Sequence, residues 1–183
     1  MDIKESFSVN QPLGDVWDLF LDVPEVARCL PGAELTADNG DGTYGGKLSV
    51  KLGPIAASFE GTATVTADES THTMSIEGKG VDRSGGSQGR VNVEVILVEA
   101  DISSTEVTID SHVMLAGPIA QFGRTGLVSE VSKRLLDDFS ACLHAKLQAA
   151  DPIEKSEIKA GEVKGISLFL ASLWSWFKGL FSK

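Results

Sequence analysis

Apolar and polar positions alternate along residues 2–9, with Ile3, Phe7 and Val9 in a polar frame, and this predicts a short strand. Asn10-Gln11-Pro12 then offers a cap and a first-turn proline, after which Leu13, Val16, Trp17, Phe20 and Leu21 recur at three- and four-residue spacing. That spacing predicts a helix with one apolar stripe, ended by Pro24, and Val26 with Leu30 marks a second short helix before Pro31-Gly32. From about residue 33 to 116 the period is two, with Leu48, Val50 and Leu52 on one face and Lys47, Ser49 and Lys51 on the other. Turn signals at 39–42, 53–54, 68–70, 82–86 and 101–104 divide this stretch into about six hairpin-connected strands. After Gly117-Pro118 the period returns to about 3.6, with Phe122, Leu127, Val128, Val131, Leu135, Phe139, Cys142 and Leu143 on one side. A closing helix of about seven or eight turns is expected there.

The order strand, two helices, antiparallel strands, long helix describes an α+β domain over residues 1–149, with the last helix lying across the concave side of a curved sheet. Such a layout leaves a cavity if side chains do not fill it. Gly45, Gly46, Ala56, Ala57, Gly61, Ala63, Gly78 and Gly80 lie in or beside strands, where they either make room for a ligand or mark bulges and bends. The candidate lining is Leu48, Val50, Phe59, Ile76, Val93, Val95, Val113 and Leu115 from the sheet, with Phe122, Leu127, Val131 and Leu135 from the long helix. Any of these equally suits a plain core.

Residues 150–164 mix charge with Pro and Gly, carry no sustained apolar face, and read as a flexible linker. The segment 165–183 differs. On a helical projection Ile166, Phe169, Leu170, Leu173, Trp174, Trp176, Phe177, Leu180 and Phe181 share one side, against Ser167, Ser172, Ser175, Lys178 and Ser182. It is short and too sided to span a bilayer, which takes about 20 apolar residues, and suits a helix lying in the membrane interface. Packing onto the home domain, or into a groove of a partner protein, are the alternatives.

Composition narrows the function. Sixteen basic against 26 acidic side chains give a net charge of -10, and without a basic cluster in the sequence nucleic acid is not an expected partner. The two cysteines, Cys29 and Cys142, sit in apolar patterns and read as reduced core residues. His72, His112 and His144 lie in separate elements without ligand spacing, so no metal is expected, and no covalent cofactor motif is present. Gly85-Gly86-Ser87-Gln88-Gly89 lacks the lysine and helix of a phosphate loop and reads as a hairpin turn. The amino terminus has neither a basic nor an apolar leader segment, so a cytosolic domain is expected. No spaced catalytic motif appears.

Asn10-Gln-Pro-Leu-Gly-Asp-Val-Trp17, Asp22-Val-Pro-Glu-Val26, Cys29-Leu-Pro-Gly-Ala33, Gly53-Pro-Ile55, Phe59-Glu-Gly61, Glu77-Gly-Lys-Gly80 and Ala116-Gly-Pro-Ile-Ala-Gln-Phe-Gly123 together resemble the CoxG family of carbon monoxide dehydrogenase subunits from residue 2 to about 147. The resemblance implies a helix-grip fold of the SRPBCC or START-like superfamily, which holds hydrophobic ligands between sheet and C-terminal helix. It also implies a partner, a molybdenum-containing hydroxylase of the carbon monoxide dehydrogenase type, met at the cytoplasmic face of the cell membrane. With the tail, this leads to a carrier of a respiratory quinone, menaquinone or ubiquinone, between membrane and enzyme, and not to an enzyme. The rival readings are a cargo-free anchor that recruits the dehydrogenase, and an enzyme acting on a bound apolar substrate with Tyr44, His112 or Glu77 as the first suspects.

Overall fold

The computed structural model describes residues 1–52, 55–124, 127–149 and 156–159, with backbone alone at 52, 55, 122–124 and 127–129. The alternating segments form seven strands: β1 (Asp2–Val9), β2 (Ala33–Asp38), β3 (Thr43–Leu52), β4 (Ile55–Asp68), β5 (Thr73–Asp82), β6 (Ser87–Asp101) and β7 (Ser104–Ala116). They pair antiparallel in the order β1-β7-β6-β5-β4-β3-β2, so every neighbour after β2 is a hairpin and only β1 reaches across to β7. Two helices, α1 (Leu13–Leu21) and α2 (Val23–Ala27), connect β1 to β2. A 3-10 segment (Pro118–Arg124) and α3 (Leu127–Gln148) follow β7. The expected α+β helix-grip architecture is present: a curved antiparallel sheet with a long C-terminal helix.

Three local expectations change. Asn10 caps nothing: Pro12 occupies the N-cap of α1 without a side-chain cap. Pro24 does not end α1 but sits in the first turn of α2, where Asp22 accepts the Glu25 amide, because a proline at that place forfeits no helical hydrogen bond. The closing helix is shorter than periodicity suggests, 22 residues, because the stretch after Gly117 winds first as the 3-10 segment.

The core lies between the sheet and the second half of α3. Val16, Trp17, Leu19 and Phe20 of α1, Met74 of β5, Val95 and Leu97 of β6, Val107 of β7 and Phe139 and Leu143 of α3 form one buried cluster. Phe139 meets Phe7 and Phe20 edge-on, with ring centroids 6.4 Å apart in each pair.

Cys29 and Cys142 are not reduced. They form a disulfide across the core, joining the end of the α2 segment to α3 with Cα atoms 5.3 Å apart. Sequence separation of 113 residues hid the pairing, since it depends on how α3 folds back over α2. One turn along each helix the same two elements meet again: Lys146 Nζ, buried, donates to Glu25 Oε2 at 2.6 Å, and Glu25 also takes the Arg28 guanidinium.

Four glycines, Gly46, Gly61, Gly80 and Gly89, stand side by side across β3 to β6. A Cβ at Gly61 would lie 1.8 Å from the Lys79 carbonyl oxygen, so the close approach of β5 to β4 requires glycine there. The space over Gly80 and Gly89 is taken by Phe59, which a Cβ at either glycine would contact at 3.1 Å and 3.6 Å. For this row, bending and aromatic packing account for the glycines.

Candidate functional site: an open cavity at one end of the grip

Hairpin order places the β3–β4 and β5–β6 turns, the end of β7 and the start of α3 at one end of the molecule. There a cavity of about 850 Å³ opens between the sheet and the first half of α3. Its apolar wall is Val50 and Ala57 from β3 and β4 with Val131 and Leu135 from α3. Pro31 and Gly32 close one side, and Gly32 must be glycine, with φ +80° and the Ser49 carbonyl oxygen 2.1 Å from where a Cβ would sit. Polar groups line the rest: Ser49 and Ser58, whose hydroxyls are 3.3 Å apart, Ser84 from the β5–β6 turn, Lys51, and Glu130, Arg134 and Asp138 from α3. A cavity of this size with an apolar wall and a few polar groups suits a small molecule with an apolar body and a polar head.

The turn that carries Ser84 is built on Asp82. Its Oδ1 accepts the Ser84 hydroxyl at 2.7 Å and the amides of Ser84 and Gly85 at 3.0 Å each. These hydrogen bonds, the Ser84 hydroxyl foremost, hold the Asp82 carboxyl below the ordinary carboxylate value. Asp68 and Asp101 use the same Asp-x-Ser device at the opposite end of the sheet.

The expected lining residues separate into groups. Val50, Val131 and Leu135 line the cavity. Phe59 and Leu115 pack with Val50 and Val131 against buried Ala57 and Ile119, next to it. Val95 is part of the main core, and Ile76 and Val93 pack against that core. Leu48 and Val113 are half-buried and are not in the cavity wall. The side chains of Phe122 and Leu127 lie outside the described residues, as does the expected membrane helix 165–183. Sequence reasoning missed the polar half of the lining; a serine opposite a serine on β3 and β4 and an arginine one turn from an apolar helix stripe give no periodic signal. Within the expected linker, Ile158 packs against the main core and Arg28 donates to the Ser156 carbonyl at 3.1 Å.

None of Tyr44, His112 and Glu77 lines the cavity. His112 is on the outer face paired with Asp2, whose carboxyl it holds below its ordinary value by hydrogen bond and charge. Tyr44 is held above its ordinary value by burial and by Asp38 and Asp22. Among the described residues no cluster of His, Cys, Asp and Glu suits a metal ion, and no helix is long and apolar enough to cross a membrane.

The fold is shared with proteins of little sequence similarity. A conserved protein of Geobacillus kaustophilus superposes with a TM-score of 0.70 at 17% identity, covering 80% of this chain and 95% of that one. An aromatase/cyclase of Streptomyces sp. R1128 gives 0.59 at 16% identity, covering 82% and 97%. A START superfamily protein of Mycobacterium smegmatis gives 0.52 at 14%, covering 80% and 96%. No protein with a curated description matches. The family model of the carbon monoxide dehydrogenase subunit CoxG matches residues 6–148.

Proposed function

Because the chain belongs to the CoxG family of carbon monoxide dehydrogenase subunits, we propose that it is a ligand-binding accessory protein that carries a respiratory quinone between the membrane and a molybdenum-containing hydroxylase. The observation that carries this reading is the open cavity of about 850 Å³ with an apolar wall and a charged and hydroxylated rim. A quinone ring and the first part of its isoprenoid chain would rest on Val50, Ala57, Val131 and Leu135, with Lys51 or Arg134 donating to a ring carbonyl oxygen. Exposing an isoprenoid chain to water costs about 0.8 kcal/mol per CH₂, so an enzyme off the membrane needs a protein to bring the quinone to it. Segment 165–183 would hold the chain to the cytoplasmic face of the cell membrane through its aromatic side.

Isothermal titration of the full chain with a short-chain quinone tests the proposal. Binding is expected at one site, weakened at least tenfold by Leu135→Trp, which would fill the cavity. Absence of heat in a folded wild-type chain would favour the cargo-free anchor instead.

A further inference from the structure

Charge is sorted along the sheet. At the end away from the cavity, residues 36–43, 66–73 and 97–106 form three turns with the strand ends beside them. They carry Asp38 and Asp41, then Asp68 and Glu69, then Glu99, Asp101 and Glu106, with no Lys or Arg. At the cavity end, Lys47 and Lys51 face one acid, Glu60, in residues 47–61. Lys79, Arg83 and Arg90 stand with Asp82 alone in residues 79–90, while on the first half of α3 Lys133 and Arg134 are matched by Glu130, Asp137 and Asp138. Asp82 is itself 2% exposed and turned into its own hairpin. Within the cavity lining Lys51 and Arg134 are balanced by Glu130 and Asp138, and the positive excess of this protein of net charge -10 lies beside the mouth on the β5–β6 hairpin, at Lys79, Arg83 and Arg90.

The outer face at that end adds apolar side chains to the basic ones. Lys79, Arg90 and Met114 lie opposite one another across β5, β6 and β7, and Val81, Gln88 and Ala116 form the next row. All six are exposed, Val81 by 44% and Met114 by 43%. Basic side chains mixed with exposed apolar ones are the composition of a surface that rests on anionic lipid headgroups.

We propose that the cavity end of the sheet is a membrane-docking face: it seats on an anionic bilayer surface through Lys79, Arg83 and Arg90 with Val81 and Met114, and turns the cavity mouth toward the lipid. This rests on the carrier reading and gives it an orientation. The acidic opposite end is repelled by the same surface, so the charge separation aligns the domain. The choice of a bilayer over an acidic protein follows from the mouth: a cargo that enters from lipid needs the opening at the lipid surface.

The test is fluorescence quenching by nitroxide lipids. The full chain carries a thiol-reactive fluorophore at Gln88→Cys or at Ile102→Cys, which is 89% exposed at the far end. The vesicles are phosphatidylcholine, with or without phosphatidylglycerol. The Gln88 label is expected to be quenched on the anionic vesicles only, and the Ile102 label on neither. Lys79→Gln, Arg83→Gln and Arg90→Gln are each expected to lower docking about fivefold, and raised salt to lower it further. All three positions are exposed, so the variants are expected to keep the wild-type thermal midpoint. Equal quenching at both labels, no quenching at Gln88, or quenching indifferent to the Gln variants overturns the proposal. So does a Gln88 label that ignores vesicles but is shielded by the hydroxylase, which would make the face a protein interface. If quinone binding heat persists in any of these cases, only the docking face is overturned; if the heat is absent too, the carrier reading falls with it.

Discussion

Asp82 shows how one carboxylate sets a loop at the site. Its hydrogen bonds from Ser84 and Gly85 lower its folded-state value, so the stabilisation they give is present above the ordinary 3.8 and is lost as pH falls through the depressed folded value. Asp82→Asn is expected to lower the thermal midpoint at neutral pH and to flatten the acid limb of a melting-temperature profile below pH 3.8. Glycines separate by what surrounds them. Gly61→Ala, with backbone in the way, is expected to destabilise by about 1–3 kcal/mol or more in urea unfolding. Gly14→Ala, on α1 with nothing within 4 Å, is expected to stabilise by about 0.5–1 kcal/mol. At this scale the sequence identifies Gly61 as a glycine inside a strand, but the reason for it is the β5 backbone beside it, which only the register brings there.

Among the elements, α3 has two halves with different neighbours. From Phe139 onward it is fastened by the core, the disulfide and the Lys146–Glu25 pair; before that it borders the cavity, with Lys133, Arg134, Asp137 and Asp138 exposed. Amides of residues 131–138 are expected to exchange faster with deuterium than those of 139–147. Cys29→Ser with Cys142→Ser is expected to cost about 5 kcal/mol by urea unfolding, the value for closing a loop of this length. Both cysteines are fully buried, so exchange with solvent thiols requires α3 to lift first. Strand existence and order were legible because alternation and turn residues are local: the six strands expected between residues 33 and 116 are β2 to β7. The disulfide and the start of α3 were not. The first is a long-range contact between two apolar patterns, and a 3-10 segment shares the apolar spacing of the helix it precedes.

For the whole molecule, the helix-grip architecture followed from element order, while the site followed only in part. Apolar residues of the inner sheet face look alike in sequence, and whether they form core or cavity wall depends on how far α3 reaches along the sheet. Phe139 and Leu143 of its second half share one buried cluster with Val95 and Met74, while Val131 and Leu135 of its first half line the cavity with Val50 and Ala57. The β5–β6 hairpin with Lys79, Arg83 and Arg90 turns at the same end. The most direct measurement is mass spectrometry of organic-solvent extracts of the purified full chain, produced in cells that make quinones, beside an Ala57→Trp variant that fills the cavity and keeps the wild-type circular dichroism. A quinone at about one per chain in the wild type and none in Ala57→Trp is the result the account predicts. A folded wild-type chain that yields no quinone, or equal amounts from both proteins, would contradict it.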